Sequence, residues 1–296
     1  MTIREHPAGS TNYSVVSTMI RCELGEGPVW IDETHSLFWV DILCPTVHRL
    51  NVADGRLDSW PMPENIGWLI PRKNDSRFII GLRTGFAELS LEPFAFDRFG
   101  QIPDHLEDAR LRLNDAKADS QGRIFAGTMD MDGVRSGHLY RLDADRSWTI
   151  VDSGYGIANG PTFSPRFDVI YHTDSRRRVV HQFDLRPDGT LANKRPFVEF
   201  PEGWGVPDGM TTDVDGGVWI AHWGGSRVSR FTPDGKLDRS IALPTSQITS
   251  CVFGGPGLRR MYVTSAACGI SAEPLAGAVF EIDPGCQGVP AHSFSG

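Results

Sequence analysis

The sequence predicts an all-β fold, a six-bladed β-propeller with four-stranded blades. A strand-and-turn pattern recurs six times along the 296 residues, and consecutive copies lie 40 to 49 residues apart. No segment between the copies has the periodicity of an amphipathic helix. A repeat of this length with several short strands per copy is typical of propeller blades. An irregular β-sandwich would also show frequent turn signals, but it does not explain a repeat that keeps its phase six times.

Each copy contains a strand that ends in a tight turn. In three copies the strand begins at Val47, Val180 or Val228, and an Asp-Gly pair follows it. Glycine after aspartate supplies the positive-φ position that such a turn requires. The weaker copies are residues 86–89, 138–142 and 278–282.

Upstream of each of these strands lies a short segment rich in aromatic and β-branched residues, a composition that fits a strand buried on both faces. The six segments are residues 37–40, 78–81, 124–127, 169–172, 218–221 and 261–264. A polar turn precedes each segment, and five residues before that turn lies one equivalent position per copy. These positions, called the ring positions below, are Glu26, Ile66, Asn114, Asn159, Asp208 and Thr249.

A propeller has to close on itself, because it otherwise leaves two exposed sheet edges. Residues 13–20 read as a lone strand before the first full copy. We expect this N-terminal strand to complete the last blade beside the C-terminal strand. Residues 1–12, which include Pro7 and Gly9, are expected to form a loose lead-in. The repeat leaves no space for a linker, so we expect residues 1–296 to form a single propeller domain.

The net charge and the cysteine pattern limit the partners and the cellular location that we expect. The formal net charge is −8, and the densest basic cluster, Arg176-Arg177-Arg178, is typical of a solvated turn. Nucleic acid is therefore not expected as a partner. We find no signal peptide, no apolar run of about 18 residues that would span a membrane, and no C-x-x-C pair among the five cysteines. We expect a cytoplasmic protein without membrane contact, either a monomer or a small homo-oligomer.

The ring positions indicate a metal site. The first strand of each propeller blade lines the central channel, so the six side chains should meet at one end of it. Glu26, Asn159 and Asp208 carry oxygens, and glycine follows each of them. Two carboxylates in a narrow channel repel each other and lose hydration unless a cation neutralises them. The set suits one divalent ion, Ca²⁺, Mg²⁺ or Mn²⁺, and is compatible with Zn²⁺ or Fe²⁺. Taken singly, each residue would read as a turn or cap residue.

Four segments resemble the signatures of the gluconolactonase family of sugar lactonases, which includes senescence marker protein (regucalcin) and luciferin-regenerating enzyme. They are LGEGPVW at 24–30, RLNDAKADSQGRIFAGTM at 112–129, NGPTFSP at 159–165 and PDGM at 207–210. The resemblance implies a six-bladed propeller with a single divalent ion, whose ligands correspond to Glu26, Asn159 and Asp208. It also implies that Arg112 and Asn114 bind substrate hydroxyls and that Asp208 is the general base.

The function that this resemblance implies is metal-dependent hydrolysis of an aldonolactone, the sugar-lactone substrate, to its aldonic acid. Two alternatives stay open: a metal-dependent esterase or phosphotriesterase, and a non-catalytic calcium-binding propeller. The chain has neither a G-x-S-x-G nor an H-E-x-x-H motif, which argues against a serine hydrolase and a zincin.

The sequence does not decide whether three further residues line the substrate pocket. Asp130 lies where animal members of the family carry glutamates that meet substrate, and Trp68 lies in an unusual stretch after Ile66. His222 follows a predicted strand, and we interpret it as a hydrogen-bonded structural histidine. The sequence does not distinguish pentono- from hexonolactones, nor does it select one cation.

Overall fold

The computed structural model describes residues 13–16, 19–132 and 136–296. The predicted lead-in, residues 1–12, lies outside these ranges. The described residues form six antiparallel sheets of four strands each. They also contain one short α-helix, α1 (Pro103–Glu107), and two 3₁₀ turns at Asp32–Thr34 and Pro256–Leu258. The all-β six-bladed propeller is therefore confirmed. Over the described ranges, no helix has the length and apolar character needed to cross a membrane.

The blades follow one another along the chain, and five of them use four consecutive strands. Blade 1 contains β2 (Gly25–Ile31), β3 (Ser36–Asp41), β4 (Thr46–Asn51) and β5 (Leu57–Pro61). Blade 2 contains β6 (Ile66–Pro71), β7 (Phe78–Leu82), β8 (Gly85–Leu91) and β9 (Phe94–Gln101). Blade 3 contains β10 (Leu111–Ala118), β11 (Ile124–Asp130), β12 (Gly137–Leu142) and β13 (Trp148–Tyr155).

Blade 4 contains β14 (Ala158–Phe163), β15 (Val169–Asp174), β16 (Val179–Leu185) and β17 (Leu191–Glu199). Blade 5 contains β18 (Val206–Thr212), β19 (Val218–Trp223), β20 (Arg227–Phe231) and β21 (Leu237–Ala242). Blade 6 contains β22 (Ile248–Gly254), β23 (Arg260–Ser265), β24 (Phe280–Ile282) and the N-terminal strand β1 (Tyr13–Val15).

The aromatic and β-branched segments predicted from the repeat form the second strand of each blade. In β3 and β7 every residue is buried. Strands of this kind have apolar contacts on both faces, since each blade lies between two neighbouring blades. Trp39 and Trp219 illustrate this, because both indole rings are fully buried. The first strands, by contrast, contact the first strands of the neighbouring blades and surround the central channel.

The N-terminal strand closes the ring as predicted. β1 pairs antiparallel with β24, and the ladder joins Tyr13 to Ile282 and Val15 to Phe280. The sequence predicted a strand over residues 13–20, whereas β1 ends at Val15. One further hydrogen bond extends the contact, from the Val16 N–H to the carbonyl of Val279 at 2.9 Å, and residues 17 and 18 lie outside the described ranges.

The C-terminal segment, residues 284–296, has no counterpart in the repeat and was not predicted. It crosses the end of the channel opposite the ring positions, where it forms bridges from Gly288 to Asp213 and from Phe294 to Arg72. The Phe294 side chain is fully buried in the apolar core around blades 2 and 3. Its backbone N–H donates to the carbonyl of Pro71 at 2.8 Å. The segment therefore ties blades 2 and 5 together beneath the channel.

Three buried histidines make the stability of the fold depend on pH. Burial lowers the pKa of His48 to about 4, and it lowers the pKa values of His172 and His222 to about 3. Within the described part of the chain, neither ring nitrogen of His172 has a hydrogen-bond partner, and the ring packs edge-on against Tyr155 with centroids 4.4 Å apart. These side chains are therefore held neutral in the folded state.

We expect stability to fall as the pH drops from about 6.5 toward 3, because only the unfolded chain binds the protons in that window. Above about pH 6.5 both states are neutral at these sites, so the contribution is complete there. At pH 5 each such histidine should remove about 2 kcal/mol from the free energy of unfolding. Denaturant unfolding at pH 5, 6 and 7 measures the slope. His172→Phe should reduce it by about one proton, and an unchanged slope would contradict this assignment.

Candidate active site

Every first strand contains a β-bulge at its ring position. The shifts in strand register begin at Glu26, Ile66, Leu113, Asn159, Pro207 and Ile248, each at the ring position or one residue before it. A bulge bends its strand and changes the direction of the side chains next to it. The bulges therefore place an irregularity in strand register beside the ring residue of every blade, at one end of the channel.

The glycines after the ring residues are required by this geometry. Gly27 and Gly160 have φ angles of +52° and +68°, a region that residues with a Cβ rarely adopt. Gly209 is needed for a different reason, because a Cβ there would lie 2.2 Å from the Ser250 hydroxyl. The glycines that follow the ring residues in the sequence motifs are therefore required for steric reasons.

The structure brings the five residues selected from the sequence into one cavity of about 380 Å³. They are Glu26, Arg112, Asn114, Asn159 and Asp208. All five are buried, with at most 6% of each residue exposed. The two remaining ring positions, Ile66 and Thr249, do not line this cavity, and the Thr249 hydroxyl instead donates to the carbonyl of Gly25 at 2.6 Å.

A chain of hydrogen bonds connects blades 3, 4 and 5 across the cavity floor. The Arg112 guanidinium donates to the side-chain oxygen of Asn114, and the Asn114 amide donates to the side-chain oxygen of Asn159. The Asn159 amide donates to the Ser175 hydroxyl at 3.0 Å, and that hydroxyl donates to the carbonyl of Pro207 at 2.6 Å. The last bond holds the residue next to Asp208, so the side chains are positioned as one unit.

Burial dominates the electrostatics of the two carboxyl groups. It raises the pKa of Glu26 well above its ordinary value, and the nearby charge of Asp208 raises it further. The pKa of Asp208 is also raised, first by burial and then by Asp115, while the Arg112 guanidinium acts in the opposite direction. Burial lowers the pKa of Arg112 itself to about 10. Two carboxylates in these positions need additional positive charge to remain ionised together.

The donor set fits a divalent cation. Oδ1 of Asp208 is buried, and none of the described residues donates a hydrogen bond to it. This is costly for a carboxylate oxygen unless another group contacts it. Across the described ranges, no three side chains of the His, Cys, Asp and Glu types are grouped to hold a metal ion. A site here therefore depends on the amide oxygen of Asn159 as its third ligand, beside Glu26 and Asp208. Carboxylate and amide oxygens are the ligands that hard divalent cations prefer.

Two buried side chains of opposite charge, Asp115 and Lys117, lie deeper in the channel, below this cavity. Burial raises the pKa of Asp115 to about 6, and the Lys117 ammonium opposes that shift. The Lys117 ammonium donates to the carbonyl of Met210 at 2.9 Å, so it links β10 to β18 two residues after Asp208. Both side chains line a second, narrow cavity of about 70 Å³ on the far side of the bulges.

The three residues left open by the sequence do not line the candidate site. Trp68 lines the narrow inner cavity instead, and Asp130 is buried at the end of β11. His222 is fully buried, with Nδ1 2.9 Å from the carbonyl oxygen of Trp204 and its ring packed on Phe200. The interpretation of His222 as a structural histidine is consistent with these contacts.

Most residues of the cavity wall were not predicted from the sequence. The additional lining residues are Leu24, Met129, Ile157, Ser175, Arg176, Val206 and Trp223. Three of them, Leu24, Ile157 and Val206, lie two positions before a ring residue, as Arg112 does before Asn114. Residues two apart in a strand point to the same side, so this spacing could have identified them. The others follow second strands or lie at their ends, where the repeat gives no signal.

Comparison with known proteins gives one consistent result. The family described as SMP-30/gluconolactonase/LRE-like region matches residues 24–267. An L-arabinolactonase of Azospirillum brasilense is 36% identical over 98% of this chain and 97% of its own length. A 6-deoxy-6-sulfogluconolactonase of Pseudomonas putida is 36% identical over 92% of this chain and 95% of its own. Among solved structures, a luciferin-regenerating enzyme is 28% identical and superposes with a TM-score of 0.90, covering 96% of this chain and 99% of that one.

Proposed function

As the chain belongs to the SMP-30/gluconolactonase/LRE-like family, we propose that it hydrolyses a sugar lactone to the corresponding aldonic acid. The observation that carries the proposal is the meeting of Glu26, Asn159 and Asp208 with Arg112 and Asn114 in one cavity. The relatives named as lactonases for an arabinose lactone and for a sulfonated gluconolactone support the substrate class. They leave the size of the sugar open.

Glu26, Asn159 and Asp208 would hold the divalent cation in this proposal. When bound, such a cation supplies Lewis-acid polarisation of the lactone carbonyl and lowers the pKa of water beside it. The remaining steps belong to the side chains of the cavity. Its volume of about 380 Å³ lies within the range typical of small-molecule sites.

Asp208 is the proposed general base. The Asp208 carboxylate lines the cavity, where it can accept a proton from the attacking water. The water oxygen forms a bond to the carbonyl carbon, the bond from that carbon to the ring oxygen breaks, and the proton held by Asp208 passes to the departing alkoxide. The products are the open chain with its new hydroxyl group and a carboxylic acid.

Arg112 and Asn114 are proposed to orient the sugar. Both side chains are fixed by the hydrogen bonds that join Arg112 to Asn114 and Asn114 to Asn159. The second amide hydrogen of Asn114 is donated to the carbonyl of Ala158, so Asn114 would accept from a substrate hydroxyl through its side-chain oxygen, while Arg112 would donate. Orientation of this kind lowers the entropy cost of reaching a reactive geometry. These contacts form when the substrate binds, before any covalent bond is made or broken.

Arg112→Ala is therefore expected to raise KM by about 10–100-fold, the usual loss for a hydrogen bond from a charged group, and to change kcat less. Steady-state kinetics on a single lactone separates the two parameters. Arg110→Ala is a suitable control, because Arg110 is held by Asp108 and does not line the cavity. A variant with unchanged KM and a reduced kcat would contradict a binding role.

The test of the proposed function is a panel assay on the purified protein with each divalent cation in turn. The panel contains arabinonolactone, xylonolactone and gluconolactone, with an aryl ester and a phosphotriester as alternatives. The proposal expects cation-dependent opening of at least one lactone at a kcat/KM well above that for the other esters. Preference for the aryl ester or the phosphotriester, or cation binding without turnover of any lactone, would overturn it.

A further inference from the structure

A buried carboxylate that the proposed mechanism does not use lies below the proposed cation site. Asp115 follows Asn114 in β10, and only 8% of the residue is exposed. It lines the narrow inner cavity, whereas Glu26 and Asp208 line the larger one. The bulges of the inner strands therefore lie between Asp115 and the space that a substrate would occupy.

Backbone hydrogen bonds hold Asp115 in this position. Its Oδ1 accepts from the N–H of Ala116 at 2.7 Å, and the N–H of Gly160 hydrogen-bonds to the carboxylate as well. Gly160 comes directly after Asn159, the third ligand of the proposed cation. The φ of +68° at Gly160 lies within the bulge of blade 4. Asp115 therefore joins blade 3 to the bulge that positions Asn159.

The charge of Asp115 acts on both carboxylate ligands. Burial and then the charge of Asp115 raise the pKa of Asp208. Burial, the charge of Asp208 and then that of Asp115 raise the pKa of Glu26. The three carboxyl groups do not form one coordination cluster, since no three side chains of the His, Cys, Asp and Glu types within the described ranges are grouped to hold a metal ion. Asp115 is therefore close enough to act through its charge but not as a ligand.

The buried charges around the site balance a divalent cation only when Asp115 is included. Glu26 and Asp208 contribute two negative charges, and the buried guanidinium of Arg112 contributes one positive charge. A divalent cation added to these three groups would leave a net positive charge in a buried site, which is unfavourable. Asp115 cancels that charge. Because it is buried too, salt screens its effect only weakly.

Lys117 offsets the charge of Asp115 from a position farther from the cation site. Burial lowers the pKa of Lys117, and the charge of Asp115 opposes that shift. The Lys117 ammonium donates to the carbonyl of Met210 at 2.9 Å. The charges that act on Asp208 are those of Asp115 and Arg112, so the ammonium acts on the site at longer range. Lys117 therefore lowers the cost of burying Asp115 while the action of Asp115 on the site is retained.

We propose that Asp115 is a further determinant of cation affinity, which strengthens binding of the divalent ion through its charge without coordinating it. Because Asp115 occupies no coordination position, it leaves room at the cation for water and substrate. This inference rests on the cation site of the proposed function. Groups that support a metal site from outside its ligand set typically change the affinity by about 10–100-fold.

Asp115→Asn tests the proposal, because it keeps the shape of the side chain and an oxygen that can accept from Ala116, but removes the charge. Calorimetric titration with Ca²⁺ is done at about pH 7, above the pKa of about 6 that burial gives Asp115. We expect the variant to bind Ca²⁺ about tenfold or more weakly than the wild type.

Tb³⁺ shows whether this loss comes from charge. Tb³⁺ has nearly the radius of Ca²⁺ and one more positive charge, and its binding is followed by luminescence. Because a Coulomb interaction is proportional to the charge of the ion, a tenfold loss for Ca²⁺ should become a loss of about 30-fold for Tb³⁺. Displacement of a ligand does not scale with ionic charge in this way.

Lys117→Met is the matched control, since it removes a charge of opposite sign two residues along β10 and breaks the bond to Met210. Its Ca²⁺ affinity should stay within about threefold of the wild type or rise, because a positive charge is lost. A loss as large as that of Asp115→Asn would assign the effect to packing and overturn the inference. If a single variant does not fold, the double variant Asp115→Asn/Lys117→Met should show the Ca²⁺ loss, and wild-type affinity in it would overturn the inference.

The lactone assay distinguishes this inference from the proposed function. Unchanged Ca²⁺ affinity in Asp115→Asn, or equal losses for Ca²⁺ and Tb³⁺, would overturn the role of Asp115 while the lactonase function stands. Losses that follow the ionic charge in a protein that opens no lactone would overturn the lactonase function and uphold the role of Asp115. A wild-type protein that binds neither ion would overturn both.

Discussion

Asp208→Asn is expected to lower kcat for lactone opening by a factor of about 10²–10⁴, the usual contribution of a positioned general base. The substitution keeps the shape of the side chain but removes the group that accepts the proton of water. Asp208 also supplies a charged oxygen to the proposed cation, so the loss should lie toward the upper end of that range. Initial rates on the best lactone of the panel, with the cation in excess, measure the effect.

Stability separates this loss from simple unfolding. Asp208 is buried near Glu26, and both carboxyl groups have raised pKa values because of burial. Removing one of the two charges should therefore leave the cation-free protein at least as stable as the wild type. Asp168→Asn, an exposed site in the turn before β15, serves as the control and should keep full activity. Wild-type turnover by Asp208→Asn would show that another group is the base.

Glu26→Gln is expected to weaken the binding of the divalent cation by about 10²-fold or more, because ligand charge strongly tunes the affinity of oxygen sites. Lactone opening should fall with it at limiting cation concentration. Wild-type protein should gain thermal stability on addition of the cation, since a ligand that binds only the folded state stabilises it. The variant should lose that gain over the same concentration range.

Glu64→Gln is the matched control for this experiment. Glu64 lies two residues before the ring position of blade 2 and pairs with Arg98 at 2.7 Å, and it does not line the cavity. The control should bind the cation as the wild type does. Equal cation affinity in Glu26→Gln and the wild type would remove Glu26 from the ligand set.

Much of this fold could be predicted from the repeat in the sequence. Asp-Gly turns and buried second strands are local features, and their phase identified Glu26, Asn159 and Asp208 as equivalent positions although they lie far apart in the chain. Closure by the N-terminal strand was predictable for a general reason, since an open ring leaves unpaired edges. The propeller and the set of cavity-floor residues therefore followed from the sequence.

Other features depend on contacts that a repeat does not encode. The segment 284–296 crosses the channel because Phe294 finds an apolar pocket between blades, and nothing in its own sequence indicates that position. The β-bulges have no signal in the sequence other than the glycine that follows some of the ring residues. The triplet Arg176-Arg177-Arg178 forms an exposed turn as predicted, but turn composition alone does not show that Ser175 anchors this turn beside the cavity.

Cation stoichiometry tests the central claim most directly. The protein is dialysed against a divalent cation, freed of excess ion, and its metal content is measured by mass spectrometry beside Glu26→Gln and Asp208→Asn. The account predicts one cation per wild-type chain and well below one in each variant. No bound cation in the wild type, or the same content in all three proteins, would contradict it.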